Sequence, residues 1–341
     1  MEYKEELIYM SKYVGMRNDY IQAGGGNTSI KISDELMLIK SSGTLLADMT
    51  NEYGYSLVNY KKIENFLFNS NQTDENNVMR EALIEGKRPS IETYLHSFTG
   101  KYTIHIHSTI INILACKKEG EKILSSIFPD SILVDYALPG LELANKLIKS
   151  CVNKENTDLI FLKNHGVIVS GSNLNDTITK LNECINIISK YLQIDITKYN
   201  NVSYIYNLYR KANEKFSNII YLSENIYILK ALKKNNGHLW NYLLFPDAIV
   251  YCGVDAIEIT TLNEVEKLET IKQHKNTILI NDKGYVYINA SSLGKAKEIE
   301  DILSASAQIY LNSNEEKLDY INQKEQNKIN ESDGEKYRKK I

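Results

Sequence analysis

A chain of 341 residues is long enough for one large domain plus a smaller one, which excludes a peptide hormone or a single small module. Lys and Arg number 40 against 43 Asp and Glu, so there is no global positive field to hold a polyanion, and nucleic acid is excluded as the main partner. Hydrophobic residues at 43%, charged residues at 24% and only four prolines describe an ordinary globular protein with a sizeable core. The opening MEYKEELIYM carries acids where a secretory signal has a basic end, and no apolar run is long enough to span a bilayer. The reading is therefore a cytoplasmic protein with no membrane partner. Cys116, Cys151, Cys184 and Cys252 lie far apart without a Cys-x-x-Cys spacing, so neither a disulfide framework nor a zinc ribbon is expected.

In chain order, residues 2–16 read as a helix, with Leu7, Met10, Ser11 and Val14 at helical spacing, and the pattern breaks at Gly24-Gly25-Gly26. Ser29-Ile30-Lys31-Ile32 and Leu36-Met37-Leu38-Ile39 form a hairpin about the polar turn Ser33-Asp34-Glu35. Short apolar runs at 103–106, 132–134 and 158–162 then alternate with helical stretches at 108–118, 141–150 and 173–194, an α/β layer pattern. The polar stretch 195–203 lacks either periodicity and places a domain boundary, giving domains 1–203 and 204–341. The second domain reads as a smaller α/β unit. It has a helix at 223–235, strands at 248–251 and 277–280, a turn at 281–284 into a strand at 285–288, and a helix at 293–311. The last thirty or so residues carry dense charge of both signs, the mark of an exposed helix or frayed tail. No internal repeat and no glycine-rich nucleotide signature is evident.

The strongest chemical feature is His105-Ile106-His107, two imidazoles that a strand points to the same face, where they can close on one metal. His165 in Asn164-His165-Gly166 follows the apolar run 159–162, and a strand tip there can aim it back at the pair. Three neutral imidazoles leave a fourth position open, as in a catalytic rather than a structural zinc site; the alternative is a surface strand with chance histidines. Glu92 in Pro89-Ser90-Ile91-Glu92-Thr93 is either a general base or a first-turn acid behind an Ser90 N-cap. His96 reads as a helix-face histidine rather than a ligand. The loops Gly24-Gly25-Gly26-Asn27-Thr28-Ser29 and Lys40-Ser41-Ser42-Gly43-Thr44 offer backbone N–H groups and hydroxyls to an anion, provided that they converge on the histidines. Lys163 is a candidate Schiff-base lysine only through its nearness to His165.

Taken together and in order, GGGNTS, KSSG, PSIET, HIH, VDYALPG at 134–140 and KNHGV resemble the class II aldolase/adducin family over residues 1–195. The remainder, with Phe245-Pro246-Asp247 and Glu335-Lys336-Tyr337-Arg338, looks like the extra region of longer relatives. The resemblance implies a three-layer αβα fold around a largely antiparallel sheet, and Zn2+ or another divalent ion on His105, His107 and His165. It implies a carbon–carbon lyase acting on a ketose or ketose phosphate through a metal-stabilised enediolate. Glu92 is the implied acid/base, and Tyr136 protonates the aldehyde oxygen from a neighbouring subunit of a homo-oligomer, often a tetramer. Asn27, Ser42, Gly43 and Ser90 are the implied substrate or phosphate contacts, and Lys40 either adds charge for a phosphate or is a solvated lysine at a strand end. Gly24 and Ile91 replace two hydroxyl residues that grip phosphate in the short sugar-phosphate aldolases, which puts phosphate recognition in question. Relatives with this metal site also perform 4-epimerisation, decarboxylation or dehydration, and an adducin-like module keeps the fold without catalysis.

Overall fold

The computed structural model describes residues 2–68, 75–151, 158–254, 256–259, 262, 264–273, 278–280 and 284–331. The chain forms two compact units, Met1–Ile196 and Thr197–Ile341.

In the first unit the expected hairpin is β1 (Asn27–Lys31) with β2 (Leu36–Lys40), and it continues through β3 (Tyr55–Asn59) to β4 (Leu83–Gly86). After it come β5 (Tyr102–Ile106), β6 (Ile132–Val134), β7 (Leu159–Leu162) and β8 (Gly166–Gly171). They make one eight-stranded sheet in the order β4-β3-β2-β1-β5-β8-β7-β6. Every pair is antiparallel except β6 with β7, so the sheet is largely antiparallel, as expected.

Strand side chains alternate between faces, and each face carries helices. On one face Ile160, Leu162 and Ile168 pack with Ile63 and Phe66 of helix Tyr60–Phe68, Tyr94 and Leu95 of helix Thr93–Ser97, and Leu143 and Leu147 of helix Leu141–Cys151. On the other, Tyr102 reaches helix Glu2–Gly15 through its hydroxyl, which donates to Glu6 (2.6 Å), and its carbonyl accepts from Thr177 of helix Leu174–Leu192 (3.5 Å). The result is three layers, αβα. The long helix is started by Asn173, whose side chain accepts from the Asp176 N–H, and stopped by Gln193 in the left-handed region. The predicted helix 108–118 is helix Thr109–Ala115; a second helix that the sequence pattern did not suggest, Gly120–Ile127, follows it after a turn closed by the Gly120 N–H on the Lys117 carbonyl (3.0 Å).

The second unit begins with helix Thr197–Ala212, which puts the division at 196, within the polar stretch 195–203. The stretch 195–203 looks structureless because Asn, Lys and Tyr dilute its periodicity, yet the helix buries Val202, Ile205, Tyr206 and Tyr209 on one stripe. Its sheet contains β9 (Ile219–Ser223), β10 (Ala256–Glu258), β11 (Ile278–Ile280) and β12 (Val286–Ala290), in the order β10-β11-β12-β9. β10 and β11 are parallel and the other pairs antiparallel. The predicted strand at 248–251 is instead part of helix Pro246–Cys252: Pro246 is suited to a first helical turn, and a short apolar run does not distinguish a buried strand from a buried helix. Trp240 stacks on Tyr310 at 6.0 Å in this unit's core. Part of the charged tail is helix Gln323–Glu331; residues 281–283, 277 and 335–338 lie outside the described residues. The absence of an internal repeat in sequence does not extend to topology, because this strand order repeats that of β5-β8-β7-β6. Among the described residues no helix is long and apolar enough to cross a membrane.

Candidate metal centre

β5 lies in the middle of the first sheet, where His105 is in register with Asn27 of β1 on one side and Ile168 of β8 on the other. His105 is fully buried, and His107 stands just beyond the strand end with its ring on the same side. His165 sits in the tight turn from β7 to β8, which is formed by Asn164 in the left-handed region (φ 55°) and an N–H from His165 to the Leu162 carbonyl (3.1 Å). Gly166 is required at the exit, because a Cβ there would collide with the Ile106 carbonyl. Asn112 fixes the turn from outside by donating Nδ2 to the His165 carbonyl at 3.1 Å. Nothing in the sequence pattern points to Asn112.

The three rings meet. Their centroids lie 4.9, 4.9 and 4.6 Å apart, and Nε2 of His105 is 3.0 Å from Nε2 of His107. Glu92 enters the same space, with Oε1 3.1 Å from His165 Nε2 and 3.4 Å from His105 Nε2. Its other oxygen accepts from Asn27 Nδ2. Glu92 occupies the N-cap position of helix Thr93–Ser97 but makes no capping bond with its side chain, so the helix-cap alternative is not what the carboxylate does. Ser90 instead organises the turn, accepting the Glu92 N–H at its hydroxyl (3.3 Å) and the Thr93 N–H at its carbonyl (3.0 Å).

Burial would raise the Glu92 carboxyl, but the charges and hydrogen bonds of His105 and His165 outweigh it and hold the group well below the usual carboxylate range. Burial, reinforced by His105, pushes His107 down to about 3, so its ring is neutral at neutral pH. His96 lies outside the cluster, as expected: it is fully buried, hydrogen-bonded through Nδ1 to Ser29 Oγ at 2.7 Å, and burial pushes it down to about 3.

The first glycine loop packs against the histidines. A Cβ on Gly25 would lie 2.8 Å from His107 Nδ1, and one on Gly26 2.8 Å from the His105 carbonyl. Lys40 is no solvated strand-end lysine; it is buried, donates to the Gly24 carbonyl at 2.9 Å, and burial lowers its pKa. The Lys40-Ser41-Ser42 segment bonds in turn to the Glu92 segment, through Ser42 N–H to the Arg88 carbonyl (2.8 Å) and Ser90 N–H to the Lys40 carbonyl (3.2 Å). Ser42 and Gly43 are exposed at the tip. Tyr136 is 53% exposed, on a loop whose Gly140 abuts Ile91, the neighbour of Glu92. Lys163 pairs with Asp135 at 3.0 Å on the surface rather than entering the site.

One candidate ligand atom from each of Glu92, His105, His107 and His165 lies within 4.8 Å of every other. Tetrahedral zinc with bonds of about 2.0–2.1 Å separates its ligands by about 3.3 Å, and it takes this nitrogen-plus-carboxylate donor set. The residues therefore fit a divalent ion, with the Glu92 carboxylate standing where the sequence alone suggested an open fourth position.

A three-layer αβα unit with a His3Glu cluster that could hold a metal ion defines the class of α/β protein. Residues 5–192, more than half of the chain, match the family Class II Aldolase and Adducin N-terminal domain, and the chain belongs to it. A protein described as "Uncharacterized oxidoreductase YuxG" of Bacillus subtilis is 30% identical over 181 residues, 49% of this chain and 26% of that one. The chain thus matches about a quarter of that relative's length. The L-fuculose phosphate aldolase of Methanococcus vannielii is 30% identical over 163 residues, 47% of this chain and 80% of that protein. Among solved structures, the N-terminal class II aldolase domain of a conserved protein from Thermoplasma acidophilum aligns with TM-score 0.49 at 22% identity, covering 55% of this chain and 92% of that one.

Proposed function

We propose that the first unit is a zinc-dependent aldolase that makes or breaks the carbon–carbon bond next to the carbonyl of a ketose or ketose phosphate. The observation that carries this reading is the convergence of three imidazoles with a carboxylate that Asn27 holds in place. His105, His107 and His165 would hold the ion, which when bound supplies Lewis acidity to a substrate carbonyl and its neighbouring hydroxyl. In the direction of synthesis Glu92, ionised in its resting state, takes the proton from the carbon beside the carbonyl. Its second oxygen stays fixed by Asn27, so the proton moves at Oε1, the atom facing the histidines. Tyr136 gives its phenolic proton to the aldehyde oxygen as the bond forms, and cleavage is the reverse. Exposed on the surface of its own chain, Tyr136 would serve a neighbouring subunit of a homo-oligomer such as a tetramer. Substrate contacts fall to Asn27, beside His105, and to Lys40, Ser42, Gly43 and Ser90, whose segments bond to one another next to Glu92. Their exposed tip at Ser42 and Gly43 suits a phosphate.

The test is a screen of ketose phosphates, free ketoses and sugar acids against the zinc-loaded full chain. Release of an aldehyde with dihydroxyacetone or its phosphate, abolished by a chelator and restored by zinc, is expected. Release of carbon dioxide, epimerisation without cleavage, or turnover indifferent to chelation would overturn the aldolase assignment.

A further inference from the structure

Eight elements follow one another between residues 102 and 192: β5, helices Thr109–Ala115 and Gly120–Ile127, β6, helix Leu141–Cys151, β7, β8 and helix Leu174–Leu192. Eight follow in the same order between 219 and 312: β9, helices Ile226–Lys234 and Pro246–Cys252, β10, helix Glu264–Gln273, β11, β12 and helix Leu293–Asn312. The sheets run β5-β8-β7-β6 and β9-β12-β11-β10, and the directions agree pair by pair: antiparallel, antiparallel, parallel.

The registers agree as well. Val169 faces Ile104 on one side and Leu159 on the other, while Ile288 faces Tyr221 and Ile278. Equating Val169 with Ile288 and Ile104 with Tyr221 carries outward, without adjustment, to the helix starts. Ser108 and Asn225 become equivalent, and both are N-caps; so do Asn173 and Ser292, each a cap whose side chain accepts from the N–H three residues on. Shared topology alone is common among α/β units, but register and cap positions are independent of it.

We propose that residues 219–312 are a second copy of the metal-bearing half of the first unit, in which the three histidine positions are taken by a leucine, an ion-paired glutamate and a glycine, so that the second copy holds no metal. By these registers His105 becomes Leu222, His107 becomes Glu224 and His165 becomes Gly284. Leu222 is a buried apolar residue. Glu224 is bound to Lys198 Nζ at 2.5 Å and to the Tyr199 hydroxyl at 3.3 Å. Glu92 and Asn27 precede the repeated segment and have no counterpart.

The second copy also departs from the first between sheet and long helix. There Glu300, buried, accepts from Ser223 Oγ (2.7 Å), the Tyr221 hydroxyl (3.2 Å) and Lys297 Nζ (2.8 Å), and Ser304 donates to Asn225 (3.1 Å). The equivalents of Tyr221, Ser223, Glu300 and Ser304 are Ile104, Ile106, Leu181 and Ile185, every one of them buried and apolar. Equivalence therefore supplies a ready-made apolar replacement for a buried polar network, the kind of exchange that a correctly matched core accepts.

Two measurements on the full chain test the proposal. The metal count, which rests on the metal-centre reading, is expected to be one ion per chain, and none in His105→Ala/His107→Ala. Two ions per chain, or one retained by the double variant, would overturn the proposal; no ion in the unaltered protein would instead sink the metal-centre reading and leave the decision to the second measurement. Trp240 is the sole tryptophan and lies in the second unit's core, so its fluorescence follows that unit's unfolding. Glu300→Leu alone removes the acceptor of the Ser223 and Tyr221 hydroxyls, which keep only the donors Asn225 N–H and Lys297 Nζ, and should lower the midpoint by roughly 5 °C. Adding Tyr221→Ile, Ser223→Ile and Ser304→Ile should recover most of that loss. A fourfold variant less stable than Glu300→Leu would show that the two cores do not correspond.

Discussion

Gly25→Ala perturbs the proposed metal centre without replacing a ligand. Gly25 does not occupy the left-handed backbone region, so alanine costs it no such strain, and the effect is steric. The new Cβ would stand 2.8 Å from His107 Nδ1, whereas ordinary contact starts at 3.4 Å, so the ring must retreat by about 0.6 Å. Metal–ligand distances tolerate only about 0.2 Å, and displacements of this kind from outside the ligand set typically cost about 10–100-fold in affinity. The Kd for zinc, measured by competition with a chromophoric chelator, should rise by that factor, or about 1.4–2.7 kcal/mol. The metal-free protein should melt close to the unaltered one, because what moves is the partly exposed end of a side chain. Gly24→Ala is the matched control: a Cβ there meets nothing within 4 Å, and its affinity should not change. Unchanged affinity in Gly25→Ala, or an equal loss in Gly24→Ala, would refute the packing of this loop against His107.

Glu92→Gln should keep the fold and most of the bound ion, yet lower turnover by roughly a hundredfold or more, the usual contribution of a positioned acid/base; near-normal kcat in an otherwise intact variant would dismiss that role. Lys31 donates to the carbonyls of Ser97 and Thr99, and burial pushes it down to about 8. The folded protein thus binds fewer protons at this site than the unfolded chain between about pH 8 and 10.5, and stability must rise with pH across that window. The unfolding free energy of the unaltered protein, relative to Lys31→Met, should climb there by up to about 3 kcal/mol, and a flat difference in urea titrations would count against the burial argument. Inactive Tyr136→Phe and inactive His105→Ala subunits, unfolded and reassembled together, should regain part of the activity if Tyr136 serves a neighbour; mixed oligomers that stay inactive would remove it from that role.

What the sequence discloses and what it withholds divide along physical lines. His105 and His107 are legible because strand geometry alone puts alternate residues on one face, and His165 because an apolar run ending in Asn-His-Gly is a strand tip. Helix Glu2–Gly15, the β1–β2 hairpin and helix Leu174–Leu192 are legible for the same reason: each carries a period of its own. The rest depends on contacts between segments far apart in the chain. Nothing local to Asn27 says that it will hold Glu92, 65 positions away; the pairing of β1 with β5 decides this by setting Asn27 opposite His105. Lys40 looks like a surface lysine until its strand end is seen to meet the Gly24 carbonyl, and Pro246–Cys252 looks like a strand until its neighbours bury it as a helix. The repeated half is the extreme case. Once Leu222 and Glu224 stand where histidines stood, and a polar network replaces an apolar one, hardly any side-chain identity is left to compare. Strand order, register and helix caps persist because they are fixed by backbone hydrogen bonding, which tolerates such exchanges provided that each buried group finds a partner.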